Sequence, residues 1–159
     1  MRKIITVVVL LVCCLCLEVH AGDEIPFPLE YRKWASAKSV LIGPQSPAFA
    51  TEAGIHHIYA NSKALEGYEA GKFPDGAILV YELVDIKEAA GITSEGAVKR
   101  VDVMVKDSQR YKDSNGWDFA RFRDGSHADG VIPADTKAGC FRCHGQKKDH
   151  DFVFSEFRK

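Results

Sequence analysis

Beyond its first 21 residues this chain has almost no sulfur. Three of its five cysteines, Cys13, Cys14 and Cys16, sit near the N-terminus, and Met104 is the only methionine after Met1. Any cysteine chemistry in the rest of the chain therefore falls to Cys140 and Cys143. Charge of one sign is also missing. The formal net charge is −1, with no basic patch and no charge run, which excludes nucleic acid as a partner. There is no internal repeat and no low-complexity tract, so solenoid and linker architectures are excluded. The one long apolar run, Ile4 to Leu17, is too short for a comfortable membrane span.

That run has a different use. Arg2 and Lys3 precede it, the small residue Ala21 ends the segment, and polar Gly22-Asp23-Glu24 follows. Residues 1–21 read as a secretory signal peptide cleaved after Ala21, and residues 22–159 as a single exported domain with room for a core. In a bacterium the mature protein would be periplasmic.

Cys140-Phe141-Arg142-Cys143-His144 reads C-x-x-C-H, the attachment pattern of one covalent haem c. Two thiols at this spacing match the two vinyl groups of a rigid porphyrin, and His144 then falls under the iron as its proximal ligand. Export agrees with this, because such attachment takes place outside the cytoplasmic membrane. Two other readings of the same residues remain open. A redox disulfide is one, although a thioredoxin-like site would place its histidine between the cysteines. A zinc site completed by His127 or His150 is the other, although a second C-x-x-C is absent.

The pattern along the chain predicts an α+β domain, mainly antiparallel sheet with two or three short helices and the haem motif near the C-terminus. Leu29, Lys33, Trp34 and Ala37 fall at helical spacing after Pro28, which predicts a helix over 29–37. Gly43 to Pro47 marks a loop. Residues 55–60 read as a strand. Asn61 then caps a helix over 62–70 that Gly71 closes. Phe73-Pro74-Asp75-Gly76 is a turn, and 77–84 an apolar strand. Residues 88–96 read as a loop or hairpin connection, 101–106 as a half-buried strand, 113–116 as a turn and 117–122 as a strand. Residues 123–139 read as turn-rich.

If the haem is present, its sixth iron position has five side-chain candidates: His56, His57, His127, His150 and Met104. Met104 lies on a strand, where a thioether also packs as apolar filler. His56 and His57 point to opposite strand faces, so at most one of them faces the haem. His127 and His150 lie in polar loops. The favoured state is an open sixth site. Phe73, Tyr81, Trp117, Phe119, Phe152 and Phe154 are candidate pocket residues. Asp102, Asp107, Arg121 and Arg123 are candidates for propionate or distal contacts.

Several segments in order carry a resemblance. They are His57-Ile58-Tyr59-Ala60-Asn61, Phe73 to Val80, Gly116-Trp117-Asp118-Phe119, Cys140 to His144, and Asp151 to Ser155. With them the chain resembles the cytochrome P-460 and cytochrome c′-beta group of exported mono-haem proteins. The resemblance implies a mostly antiparallel fold, a homodimer, His144 as proximal ligand, and a distal pocket that admits small nitrogen compounds. Some members of the group oxidise hydroxylamine and carry an extra lysine-to-porphyrin link. Others lack that link and bind nitric oxide. The linking lysine is expected just before the glutamate of the strand after Pro74-Asp75-Gly76. Here Tyr81 precedes Glu82, so the link is expected to be missing, with Lys72 and Lys106 as the alternatives in another register. The expectation is a nitric-oxide-type binding or redox cytochrome. Hydroxylamine oxidation and plain electron transfer are its rivals, and the redox partner is unidentified.

Overall fold

The computed structural model describes residues 24–128 and 130–157; residues 1–21, read as a signal peptide, lie outside them. The chain enters along Ile25 to Pro28 and makes one 3-10 turn over Tyr31–Lys33. Five strands follow: β1 (Ala35–Ile42), β2 (Gly54–Ala60), β3 (Ile78–Ala89), β4 (Ile92–Lys106) and β5 (Trp117–Arg123). They form one antiparallel sheet in the order β1-β2-β3-β4-β5. A short helix α1 (Phe49–Glu52) precedes β2, and α2 (Ser62–Ala70) joins β2 to β3. Helix α3 (Ala134–His144) and a 3-10 segment over Gly145–His150 lead to the C-terminal tail. The α+β class expected from the pattern is the class observed.

Each element has a local cause. Asn61 accepts from the Ala64 N–H at 2.8 Å and from the Ile78 N–H at 3.0 Å, so one side chain both caps α2 and ties it to β3. Gly71 closes α2 with φ 73°. The strands β3 and β4 turn tightly at Ala90-Gly91, where both residues have positive φ, as a two-residue hairpin turn requires. The expected connection over 88–96 is this hairpin, and both strands run several residues further than the pattern indicates.

The helix expected over 29–37 is not formed. Leu29, which set its spacing, is 75% exposed, and the chain extends from Ala35 to pair with β2. A 3-10 turn positions Tyr31, whose hydroxyl donates to Glu82 at 2.7 Å beneath the sheet. Pairing along eight residues, with β-branched Val40 and Ile42, outweighs a weak helical spacing. The turn-rich reading of 123–139 also needs correction. The chain is helical from Ala134, and the C-x-x-C-H motif occupies the second half of α3.

The sheet has two different faces. On one, Ile25, Tyr31, Val80, Val101, Val103, Ala120 and Phe122 form a closed apolar layer under the N-terminal segment. On the other, register stacks side chains in rows. Ala60, Leu79, Met104 and Phe119 are cross-strand neighbours and sit in the core beside α2. The next row, Ile58, Tyr81, Asp102 and Arg121, is increasingly polar. Because β3 is covered on both faces in its middle, 77–84 is apolar at every position but Glu82, which is buried and bonded by Tyr31.

Candidate functional site

A cavity of about 670 Å³ opens between this second sheet face, α3 and the C-terminal tail. That size is usual for small-molecule and cofactor sites. Its apolar wall includes Ile58, Leu79, Met104, Phe119, Ile132 and Val153. Cys140, Cys143 and His144 line it from α3. Cysteines three residues apart on a helix share a face, so the motif presents both thiols and the imidazole to one space. Both thiols are free. Burial pushes the Cys140 thiol up, against the opposing pull of Arg121, and keeps it protonated.

His144 is oriented by a carbonyl. Its Nδ1 donates to the Phe152 oxygen at 2.7 Å, which leaves Nε2 with its lone pair free. Burial pulls the imidazole down, against the Phe152 bond and Asp102, and so favours the neutral, ligating form. Phe119 and Phe154 pack on the ring at 4.8 and 5.2 Å between centroids.

Opposite α3, the sheet carries a polar network. Tyr81 donates to Glu52 at 2.7 Å and lies 2.5 Å from His56 Nδ1. His56 Nε2 donates to the Glu52 carbonyl at 2.6 Å. Arg100 reaches Glu52 at 2.7 Å and Asp102 at 2.9 Å. Arg121 makes a two-pronged pair with Asp102 at 2.6 and 2.8 Å. Burial pushes the Glu52 carboxyl up, but hydrogen bonds from Tyr81 and Arg100 outweigh it and hold the group below the usual carboxylate range. Burial and then the neighbouring Glu52 push the Tyr81 hydroxyl well up, so it stays a neutral donor.

The structure sorts the residues singled out in the sequence. Tyr81, Phe119 and Phe154 line the cavity with Cys140, Cys143 and His144. Phe73 and Trp117 do not line it. They pack on each other at 5.6 Å in the core, because α2 covers that end of the sheet. Phe152 contributes its carbonyl to His144. His56 and Met104 reach the cavity. His57 faces the other way, to Ser39 and Glu95. His127 stacks on Phe27 at 3.9 Å, and His150 is exposed in the 3-10 segment. Among the described residues no three potential metal-ligating side chains converge, so neither His127 nor His150 completes a zinc set with the cysteines. Asp102 and Arg121 line the cavity, whereas Asp107 caps the Gln109 and Arg110 N–H groups and Arg123 is exposed. Lys106 is buried against Asp151, away from the cavity, and Lys72 is exposed outside it.

Glu52, Arg100 and Lys38 also line the cavity, and sequence reasoning missed them. Arg100 could have been found by extending the alternation of β4 two residues back from Asp102. Nothing local marks Glu52, which reaches the site from α1.

A porphyrin fits what these residues offer: an apolar slot, a thiol pair on one helix face, and a half-buried neutral imidazole whose outer nitrogen is already bonded. Fold and site together define a haem-binding protein of the α+β class. The family model of cytochrome P460 matches residues 28–155, and the chain belongs to that family. No curated protein matches the chain.

Proposed function

We propose that this protein is an exported mono-haem cytochrome whose haem is joined covalently through Cys140 and Cys143. His144 is its proximal ligand, and its distal side is open to a small nitrogen species, nitric oxide first. The observation that carries the reading is the state of the two cavity-lining candidates for the sixth position. Both ring nitrogens of His56 are engaged, by Tyr81 and by the Glu52 carbonyl. Met104 is wedged in the apolar row between Leu79 and Phe119. Neither is free to ligate, which supports an open position. The bound haem would supply ligand binding or one-electron chemistry. The chain's own part is to hold the imidazole neutral, exclude bulk water with Phe119 and Phe154, and offer hydrogen bonds from the cations that line the cavity, Arg100, Arg121 and Lys38. The protein is read as a homodimer, with the exposed edge strand β1 and its Leu41 as available surface.

Hydroxylamine oxidation is the second reading, and one observation keeps it in view. Tyr81 stands in the cavity where the link was expected, but Lys38 on β1 lines the same cavity. The decisive experiment is expression with cytochrome c maturation, followed by intact mass, peptide mapping and ferrous spectra with nitric oxide. The expected result is one haem per processed chain, attached at Cys140 and Cys143 alone. The ferrous spectrum should be high-spin, convert on nitric oxide, and stay high-spin in Met104→Leu and His56→Ala. A low-spin spectrum lost in either variant would refute the open site. Haem cross-linked at Lys38, with steady hydroxylamine turnover, would establish the enzyme instead.

A further inference from the structure

We infer that Lys106 and Asp151 are positioning residues that set the strength and direction of the His144 imidazole as an axial donor. This rests on the reading of His144 as the haem ligand.

The carbonyl that holds His144 belongs to an unusual stretch of backbone. Asp151 and Phe152 are consecutive non-glycine residues with φ 48° and 67°. L-residues rarely adopt this region, and two in a row need something to hold them. The holding group is the Asp151 carboxylate. One oxygen accepts from Lys106 Nζ at 2.9 Å, and the other from the Phe73 N–H at 2.8 Å. The Phe152 N–H closes the turn on the Lys147 carbonyl at 2.8 Å. Lys106 is itself fixed, donating to the Asn115 carbonyl at 3.1 Å and lying 4.8 Å from the centre of the Trp117 ring. The two charged side chains are 7% and 12% exposed. Burying such a pair does not by itself favour folding. What this one accomplishes is geometric: it pins Asp151 to β4 and to the loop before β3, and so aims the next carbonyl at His144 Nδ1.

A carbonyl accepting from the outer nitrogen of a ligating imidazole makes the inner nitrogen a stronger donor and stops the ring from turning. Loosening the clamp should weaken both effects. A weaker axial donor stabilises ferric over ferrous iron less through charge donation, so the reduction potential rises.

The test uses the haem-loaded protein and compares Lys106→Met, Asp151→Asn and the charge-neutral double variant with wild type. The readouts are the iron–histidine stretching band of the ferrous form and the reduction potential. The expected result is a lower stretching frequency in all three variants, with a raised potential in the double variant. Simple electrostatics would act differently. Losing the lysine charge would lower the potential, losing the aspartate charge would raise it, and the stretching band would not move. That pattern would overturn the inference. Val101→Ala, which truncates the core on the far sheet face, controls for general loosening and should leave the band in place. A shift there equal to that of the clamp variants would also overturn it. Lys106→Gln and Asp151→Glu replace any first-choice variant that fails to fold. Absence of an iron–histidine band in wild type would refute His144 as the ligand, and with it the proposed function.

Discussion

Glu52 joins Tyr81 to Arg100 in the cavity network. It arrives on α1, accepts from Tyr81 and Arg100, and is held below the usual carboxylate range despite burial. The sign of its pH effect follows. Its folded value lies below the ordinary 4.5, so the unfolded state binds the proton more readily. The stabilisation is fully present above the unfolded value and is lost as pH falls through the folded one. In urea denaturation between pH 7 and pH 3, Glu52→Gln is expected to be less stable than wild type at neutral pH. The gap should close as pH falls below 4.5 and through the lower value of the native carboxylate. A gap that is constant with pH would show that the charge of Glu52 contributes nothing. At this scale the sequence was partly legible. Tyr81 was singled out by its place before Glu82, but its two partners lie 29 and 25 residues away, and no local pattern links them.

Among the elements, α2 was the most legible, since Asn61 and Gly71 mark both ends chemically. Its packing contains a test of propensity against contact. Gly67 lies where α2 crosses Phe73, and a Cβ there would come within 2.3 Å of the Phe73 ring. Helix propensity alone would have Gly67→Ala stabilise by about 1 kcal/mol. The close approach should instead make it destabilising, by about 2 kcal/mol, as over-packing in a core does. Chemical denaturation measures the sign directly, and a gain in stability would mean that Phe73 can move aside. Helix α3 was missed for a physical reason. None of its residues is fully buried, so it carries no apolar stripe to betray it. β1 was missed because an edge strand is defined by pairing with β2, and its own residues also fit a helical spacing.

For the molecule as a whole, the exposed character of α3 has a consequence. The far sheet face has a complete core of its own, whereas α3 borders a cavity of about 670 Å³. A prosthetic group in that cavity would supply much of the apolar contact α3 lacks, at roughly 25 cal/mol per Å² of buried apolar surface. Hydrogen exchange of haem-free Cys140→Ala/Cys143→Ala protein, against the loaded wild type, should show strong loss of protection over 134–144. Protection of β3 and β4 should change little. Equal protection of α3 in both forms would mean that the helix is held by the polypeptide alone.

The sequence by itself determined the local chemistry of this protein. The C-x-x-C-H spacing is set within five consecutive residues, the caps of α2 act over one turn, and the alternation of the central strands is a property of neighbouring positions. Which side chains meet was decided only by tertiary structure. Strand register put Tyr81 beside Asp102 and Asp102 beside Arg121, whereas α2 covers Phe73 and Trp117 in the core. Lys106, a candidate for a bond to the porphyrin, turned instead to Asp151, 45 residues on. The reason is that a residue's position along a paired strand, as well as the face it occupies, decides which elements it meets. A residue's identity states what chemistry it can do, and only pairing and packing across the fold state where that chemistry is delivered.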